Sequence, residues 1–142
     1  MTDQQSRRGD GAMAYLLLRA VIGLNILMHG ISRIHAGLST FADGMVGMFK
    51  QTPLPGPLVH VFGLSLPWAE AVIGFMLLTG AGTRVALIVA SLMILCLTFG
   101  VGLRQDWQVA GLQLTYVLIY AVLLAFREYN LFSVDAFLAA KS

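Results

Sequence analysis

Two charged residues, Arg19 and Glu70, lie inside apolar stretches that are long enough to cross a bilayer. An ionised side chain at the centre of a spanning helix costs about 2.5–3.5 kcal/mol on insertion scales, so it normally faces a partner, a cavity or a ligand. The opposite charges predict an ion pair between the two stretches. Such a pair has two interpretations: it fixes the packing of two helices, or it binds a polar head group or moves a proton.

His29 and His60 lie towards the same end of these two stretches, with an expected difference in depth of about 5 Å at 1.5 Å per residue. Two imidazoles at that depth could hydrogen-bond a quinone carbonyl. Alternatively, backbone groups or water near the membrane surface satisfy both rings. The sequence disfavours haem, because no histidine follows His60. It also predicts no metal centre, because Cys96 is the single cysteine.

Further polar side chains recur at helical spacing. Asn25 and Arg33 extend the polar faces of the first stretch, and Gln113, Tyr116 and Tyr120 follow one another at i, i+3 and i+7 in the last one. This second group predicts either hydrogen bonds between helices or the wall of a pocket for a flat amphipathic ligand. The candidate ligand-binding or charged-pair residues are therefore Arg19, Asn25, His29, Arg33, His60, Glu70, Gln113, Tyr116 and Tyr120.

The composition indicates the environment in which these residues work. Hydrophobic residues make up 58% of the 142 residues and charged residues only 11%, more apolar surface than a water-soluble domain of this length can bury. The lipid bilayer is therefore the predicted surrounding. A net charge of +2 is too small to indicate binding to nucleic acid.

Four apolar segments of about 20 residues each could span the hydrocarbon core, at about 12–34, 58–80, 83–103 and 107–126. Short turns between the later segments predict antiparallel neighbours. An apolar stripe that ends before Pro53 and Pro55 predicts a short amphipathic helix at about 39–51, lying either in the headgroups or as a lid over a pocket. The predicted fold is all-α: an up-down bundle of four transmembrane helices with this interfacial helix between the first and second spans. The predicted domain covers 12–138, with tails at 1–11 and 139–142.

Basic residues outside the spans predict the orientation. The positive-inside rule places the more basic side of the bundle in the cytoplasm. The N-terminal side carries five basic residues against three on the other: Arg7, Arg8, Arg84, Arg127 and Lys141 against Arg33, Lys50 and Arg104. Both termini are therefore expected in the cytoplasm, with the chain in the inner membrane.

Several short motifs resemble those of the DoxX/DoxD family of small four-helix membrane proteins, over about residues 14–138. They are Leu18-Arg19-Ala20 to Gly23, His29-Gly30 to Arg33, Pro67-Trp68-Ala69-Glu70 to Gly74, and Leu77 to Gly80 with Arg84 following. The resemblance implies that Arg19 and Glu70 are the family's intramembrane charged pair. It also implies a link to quinone chemistry, because family members include a small subunit of thiosulfate:quinone oxidoreductase.

Three functional hypotheses follow. In the first, the chain is a membrane subunit of a quinone-linked oxidoreductase and holds a quinone in a polar cavity, so that activity requires a partner subunit or a cofactor. In the second, it is a non-catalytic anchor or assembly partner of a larger protein complex, which predicts co-purification with that complex and no small ligand. A third hypothesis, a small carrier, has less support because the four segments show no inverted repeat.

Overall fold

A computed structural model describes residues 3–141, and within this part of the chain six α-helices and one 3-10 turn form. The helices are α1 (Asp3–Ala36), α2 (Leu38–Met48), α3 (Gly56–Thr79), α4 (Thr83–Leu103), α5 (Trp107–Ala125) and α6 (Val134–Ala139), with the 3-10 turn at Arg127–Tyr129. The all-α class predicted from the sequence is confirmed.

Four of these helices, α1, α3, α4 and α5, are long and apolar enough to cross a membrane, as predicted. The chain is therefore described as a multi-pass membrane protein. Helix α1 begins at Asp3, so the predicted N-terminal tail is helical where the structure describes it. The up-down order of the whole bundle and the interfacial position of α2 stay predictions.

Helices α1 and α3 pack backbone against backbone, because glycines face the partner helix. A Cβ added at Gly23 would lie 2.5 Å from the backbone nitrogen of Leu78, and one added at Gly30 would lie 2.5 Å from that of Ala71. Gly74 has the same role on α3, since a Cβ there would collide with α1. Residue numbers rise along α1 as they fall along α3, so the two helices are antiparallel.

The buried apolar residues form two clusters. The larger one lies between α1, α3, α4 and α5 and includes the fully buried Leu77, Leu87 and Tyr120. The smaller one joins α2 to the first half of α3 through Met45 and Leu66, among others. Helix α2 thus packs along the bundle.

The bundle has two ends, which we name by their connections. The loop end carries α2 and the turn at 104–106. The N-terminal end carries the turn at 80–82, where Gly80 and Gly82 adopt left-handed conformations with φ of 72° and 61°. The C-terminal segment returns to this turn, because the Asp135 amide donates to the Gly80 carbonyl at 3.0 Å.

Candidate functional site

Glu70 forms a buried ion pair with Arg33. Nη1 of Arg33 donates to Oε1 of Glu70, and only 4% of Glu70 is exposed. The Arg33 guanidinium also lies 4.8 Å from the centre of the Phe41 ring, so the pair links α1 and α3 to α2. The second carboxylate oxygen of Glu70, Oε2, is buried and has no hydrogen-bond partner among residues 3–141.

The predicted ion pair between Arg19 and Glu70 is therefore wrong. Gly30 faces Ala71, the residue next to Glu70, and Arg19 precedes Gly30 by eleven residues. Because Glu70 lies one residue further from Arg19 than Ala71 does, the separation at 1.5 Å per residue is about 18 Å along the helix axis. The sequence alone did not reveal this offset, because the glycine contacts set the register of α1 against α3 and the apparent ends of the apolar stretches do not.

Arg19 binds main-chain carbonyls at the N-terminal end. Nη1 donates to the carbonyls of Leu77 at 2.6 Å and Leu78 at 3.2 Å, and Nη2 donates to that of Phe132 at 2.7 Å. The last carbonyls of a helix have no partner within the helix, so a guanidinium satisfies the end of α3. Arg19 thereby fastens α3 and the C-terminal segment to α1.

A second set of hydrogen bonds holds the C-terminal segment at the same end. The Asp135 carboxylate accepts from the backbone N–H of Gly82 at 2.6 Å and of Thr83 at 2.8 Å, at the start of α4. Partial burial acts to raise the pKa of Asp135, but the hydrogen bonds from Thr83 and Gly82 outweigh it, and the pKa lies below its ordinary value. We call the contacts of Arg19 and Asp135 with residues 80–83 and 132 the C-terminal clasp.

The histidines are not brought together. His29 lies exposed on α1, as does Asn25. His60 is half-buried on α3, with Nε2 3.3 Å from Oδ1 of Asp43 on α2. Because Gly30 faces Ala71, His29 and His60 are about 18 Å apart along the bundle rather than the expected 5 Å.

The predicted stripe on α5 divides between two environments. Tyr120 is fully buried and its hydroxyl has no hydrogen-bond partner in the described part of the chain, while Tyr116 packs against the larger core cluster. Gln113 is half-buried, and its Oε1 atom is buried without a hydrogen-bond partner among the residues that the structure describes. Sequence reasoning missed Tyr15, whose hydroxyl donates to the Leu123 carbonyl at 3.0 Å. Its position one helical turn before Arg19 was the available signal.

A pocket of about 700 Å³ opens at the loop end among α2, α3, α4 and α5. Its walls are mainly apolar, and among the described residues the charged or amide side chains that line it are Arg33, Arg104 and Gln113. Arg104 lies 3.8 Å from Asp106 and 5.4 Å from the centre of the Phe49 ring. Of the nine predicted site residues, only Arg33 and Gln113 line this pocket, and Glu70 adjoins it through Arg33.

The family model described as methylamine utilisation protein MauE matches residues 11–109, more than two thirds of the chain. This is a different membrane family from DoxX/DoxD, so the resemblance drawn from short motifs is wrong. Those motifs consist of glycine, alanine and leucine around single charged residues, a pattern that helix packing in membranes favours in general. Neither a curated protein nor a solved structure matches the chain.

Proposed function

The chain belongs to the MauE family of methylamine utilisation proteins, and from this premise we propose that it is a membrane accessory protein that acts by binding and positioning a partner protein. The partner would belong to a system that consumes methylamine. This proposal follows the second hypothesis drawn from the sequence. We further propose that the chain lies in the inner membrane with both termini in the cytoplasm, because basic residues are more numerous at that end.

The main support for the proposal is that the buried charged side chains already have partners within the bundle. Arg33 and Glu70 neutralise one another, and Arg19 donates to carbonyls of α3 and of the C-terminal segment. Each of these side chains fixes one helix against another, which is what a rigid scaffold for a partner requires. The residues expected to surround a quinone instead lie at separate places, which favours the accessory role over a quinone-linked subunit.

The pocket is poorly suited to methylamine itself. Methylamine is a cation at neutral pH, and a protein binds such a cation with carboxylates or with the faces of aromatic rings. The described lining includes two guanidinium groups and no carboxylate, and Arg33 and Arg104 already lie over two of its four phenylalanine rings, Phe41 and Phe49. A role beside the amine-consuming enzyme therefore fits these residues better than a role as an amine receptor.

Purification of the whole chain with its neighbouring lipids tests the proposal. The full-length protein, tagged at its C-terminus and produced at its natural level during growth on methylamine, would be extracted in native nanodiscs and analysed by quantitative mass spectrometry. We expect one partner protein at near-equal amount. The control is a multi-pass membrane protein of similar abundance with the same tag, which should not bring down that partner.

Recovery of the chain alone would contradict the proposal, provided that chemical crosslinking in intact cells before extraction also links it to no other protein. A quinone in equal amount without any protein partner would instead favour the oxidoreductase hypothesis. The quinone stays a prediction, which this measurement examines at the same time.

A further inference from the structure

We propose that the pocket at the loop end binds a neutral, membrane-soluble molecule whose head group carries a hydroxyl. The inference goes beyond the accessory role and does not depend on it. It also departs from the expectation that an accessory protein would carry no small ligand.

The size and walls of the pocket suit such a molecule. Pockets for small ligands have volumes of about 300–1,000 Å³ and are mostly apolar with a few polar groups that fix orientation. This pocket measures about 700 Å³, and its rim includes the exposed side chains of Leu58, Leu95 and Phe99. An apolar rim on helices that are apolar enough to cross a membrane opens towards lipid, so the ligand enters from the bilayer.

Gln113 supplies the strongest sign that a polar group belongs inside. A buried amide oxygen without a hydrogen bond is unfavourable, and Oε1 of Gln113 is buried with no partner among the described residues. Rotation about the Cγ–Cδ bond exchanges the positions of the amide oxygen and nitrogen, so the oxygen can turn from its buried position towards the pocket that the side chain lines. A ligand hydroxyl would donate to the oxygen.

Gln113 is one of the residues that line the pocket. It follows the start of α5 at Trp107 by six residues, about 9 Å along the helix. Arg33 also lines the pocket and uses Nη1 for Glu70, so the rest of its guanidinium can donate to a ligand oxygen. The pocket thus offers one hydrogen-bond acceptor, from Gln113, and one donor, from Arg33, to a head group that contains oxygen.

The charges in the lining favour a neutral ligand. Arg33 is already paired with Glu70, and Arg104 lies near Asp106, so neither cation requires an anion. At the loop end, Phe49, which directly follows α2, lines the pocket. A Cβ added at Gly100 of α4 would lie 3.1 Å from the Phe49 ring, which leaves the ring in close contact with α4. Helix α2 and Phe49 thus form one wall of the pocket at the loop end, which is the position that the interpretation of α2 as a lid requires.

Binding of a defined probe tests the inference. Decylhydroquinone has two hydroxyls and an apolar chain, and its dimethyl ether has the same shape without a donor. Partitioning of each probe between phosphatidylcholine nanodiscs with and without the full-length protein gives its affinity. We expect decylhydroquinone to bind at least tenfold more tightly than the ether. Quinols belong to this chemical class, so the reduced form of the quinone predicted from the sequence is one natural ligand to examine.

Variants assign the effect to the amide. Gln113→Leu should lower the affinity for decylhydroquinone about tenfold and leave that for the ether unchanged. Gln108→Leu changes the same residue type on the exposed part of α5 and should bind as the wild type does. If Gln113→Leu does not fold, Gln113→Met offers a side chain of similar length.

Three outcomes would overturn the inference. Equal affinity for the two probes in the wild type would show that the hydroxyl is not recognised, and full binding by Gln113→Leu would remove the role of the amide. A phospholipid that accompanies the protein in equal amount and that decylhydroquinone cannot displace would identify an acyl chain as the occupant.

Discussion

At the scale of single residues, the pair formed by Arg33 and Glu70 holds α1 in register with α3. Removing one partner leaves an uncompensated charge away from water, which costs 3–5 kcal/mol in a fully buried pair. Because the Arg33 side chain is 28% exposed, we expect a smaller loss of about 2–3 kcal/mol in Glu70→Leu or Arg33→Met. The double variant Arg33→Met/Glu70→Leu should regain most of the lost stability. Thermal unfolding in nanodiscs, followed by tryptophan fluorescence, measures these differences.

The matched control for this pair is the double variant Arg19→Met/Glu70→Leu. Arg19 binds carbonyls of Leu77, Leu78 and Phe132, so its removal leaves those acceptors without a donor and gives Glu70→Leu no relief. We expect this variant to be less stable than either single variant. Recovery by this variant, but not by the Arg33 double variant, would show that Arg19 is the partner of Glu70 after all.

Asp135 makes the C-terminal clasp dependent on pH. Its pKa is lowered in the folded state, so the clasp is fully stabilised above the ordinary value of 3.8 and weakens as pH falls through the lowered pKa. The contribution is small, about 0.3–1 kcal/mol, as for carboxylates near exposed helix N-termini. We expect the Asp135 amide to lose protection from hydrogen exchange, relative to its intrinsic rate, between pH 6 and pH 3.

The variant Asp135→Asn checks the assignment. It cannot change its charge with pH, so protection of the amide at residue 135 should already be reduced at pH 6 and should change little down to pH 3. A loss of protection on acidification as large as that of the wild type would show that another group controls the clasp.

At the scale of helices, the close approach of α1 and α3 depends on glycines. A Cβ at Gly30 would lie 2.5 Å from the Ala71 nitrogen, and one at Gly74 would collide with the backbone of α1. We therefore expect Gly30→Ala and Gly74→Ala each to lower the free energy of unfolding by about 1 kcal/mol or more. The usual cost of overpacking is about 1–3 kcal/mol. Thermal unfolding of the purified variants gives the comparison.

Gly111 on α5 is the matched control, because nothing lies within 4 Å of a Cβ added there. In this open position alanine favours the helix over glycine, so Gly111→Ala should leave stability unchanged or raise it by up to about 1 kcal/mol. Equal destabilisation at Gly111 and Gly74 would show that the cost is not specific to the contact between α1 and α3.

The sequence was a good guide to the helices and a poor guide to their register. Twenty or so consecutive apolar residues predict a spanning helix by length alone, and α3, α4 and α5 begin and end within about two residues of the predictions. The partner of Glu70 depends on the offset between two helices, which apolar stretches without sharp ends do not define. The acceptors of Arg19 are carbonyls, one of them 113 residues away in sequence, and carbonyls carry no signal of residue type.

At the scale of the whole molecule, the polar groups of the bundle fall into three places with different roles. The C-terminal clasp closes the N-terminal end, the pair of Arg33 and Glu70 fixes α1 against α3, and Gln113 marks the pocket at the loop end. The sequence identified Arg33, Glu70 and Gln113 as candidates but grouped them with residues that lie elsewhere. Helical spacing identifies the face on which a residue lies, but not which residues of other helices lie at the same depth.

The measurement that tests the proposed accessory role most directly compares a host strain with and without this chain during induction by methylamine. The enzyme that consumes methylamine would be quantified as assembled protein and assayed in the same extracts, with the intact gene restored as the control. We predict that the deletion strain contains much less assembled enzyme and that the activity per assembled molecule is unchanged. A normal amount of assembled enzyme whose activity is lost until this chain is added back would contradict the account, because the chain would then take part in the reaction itself.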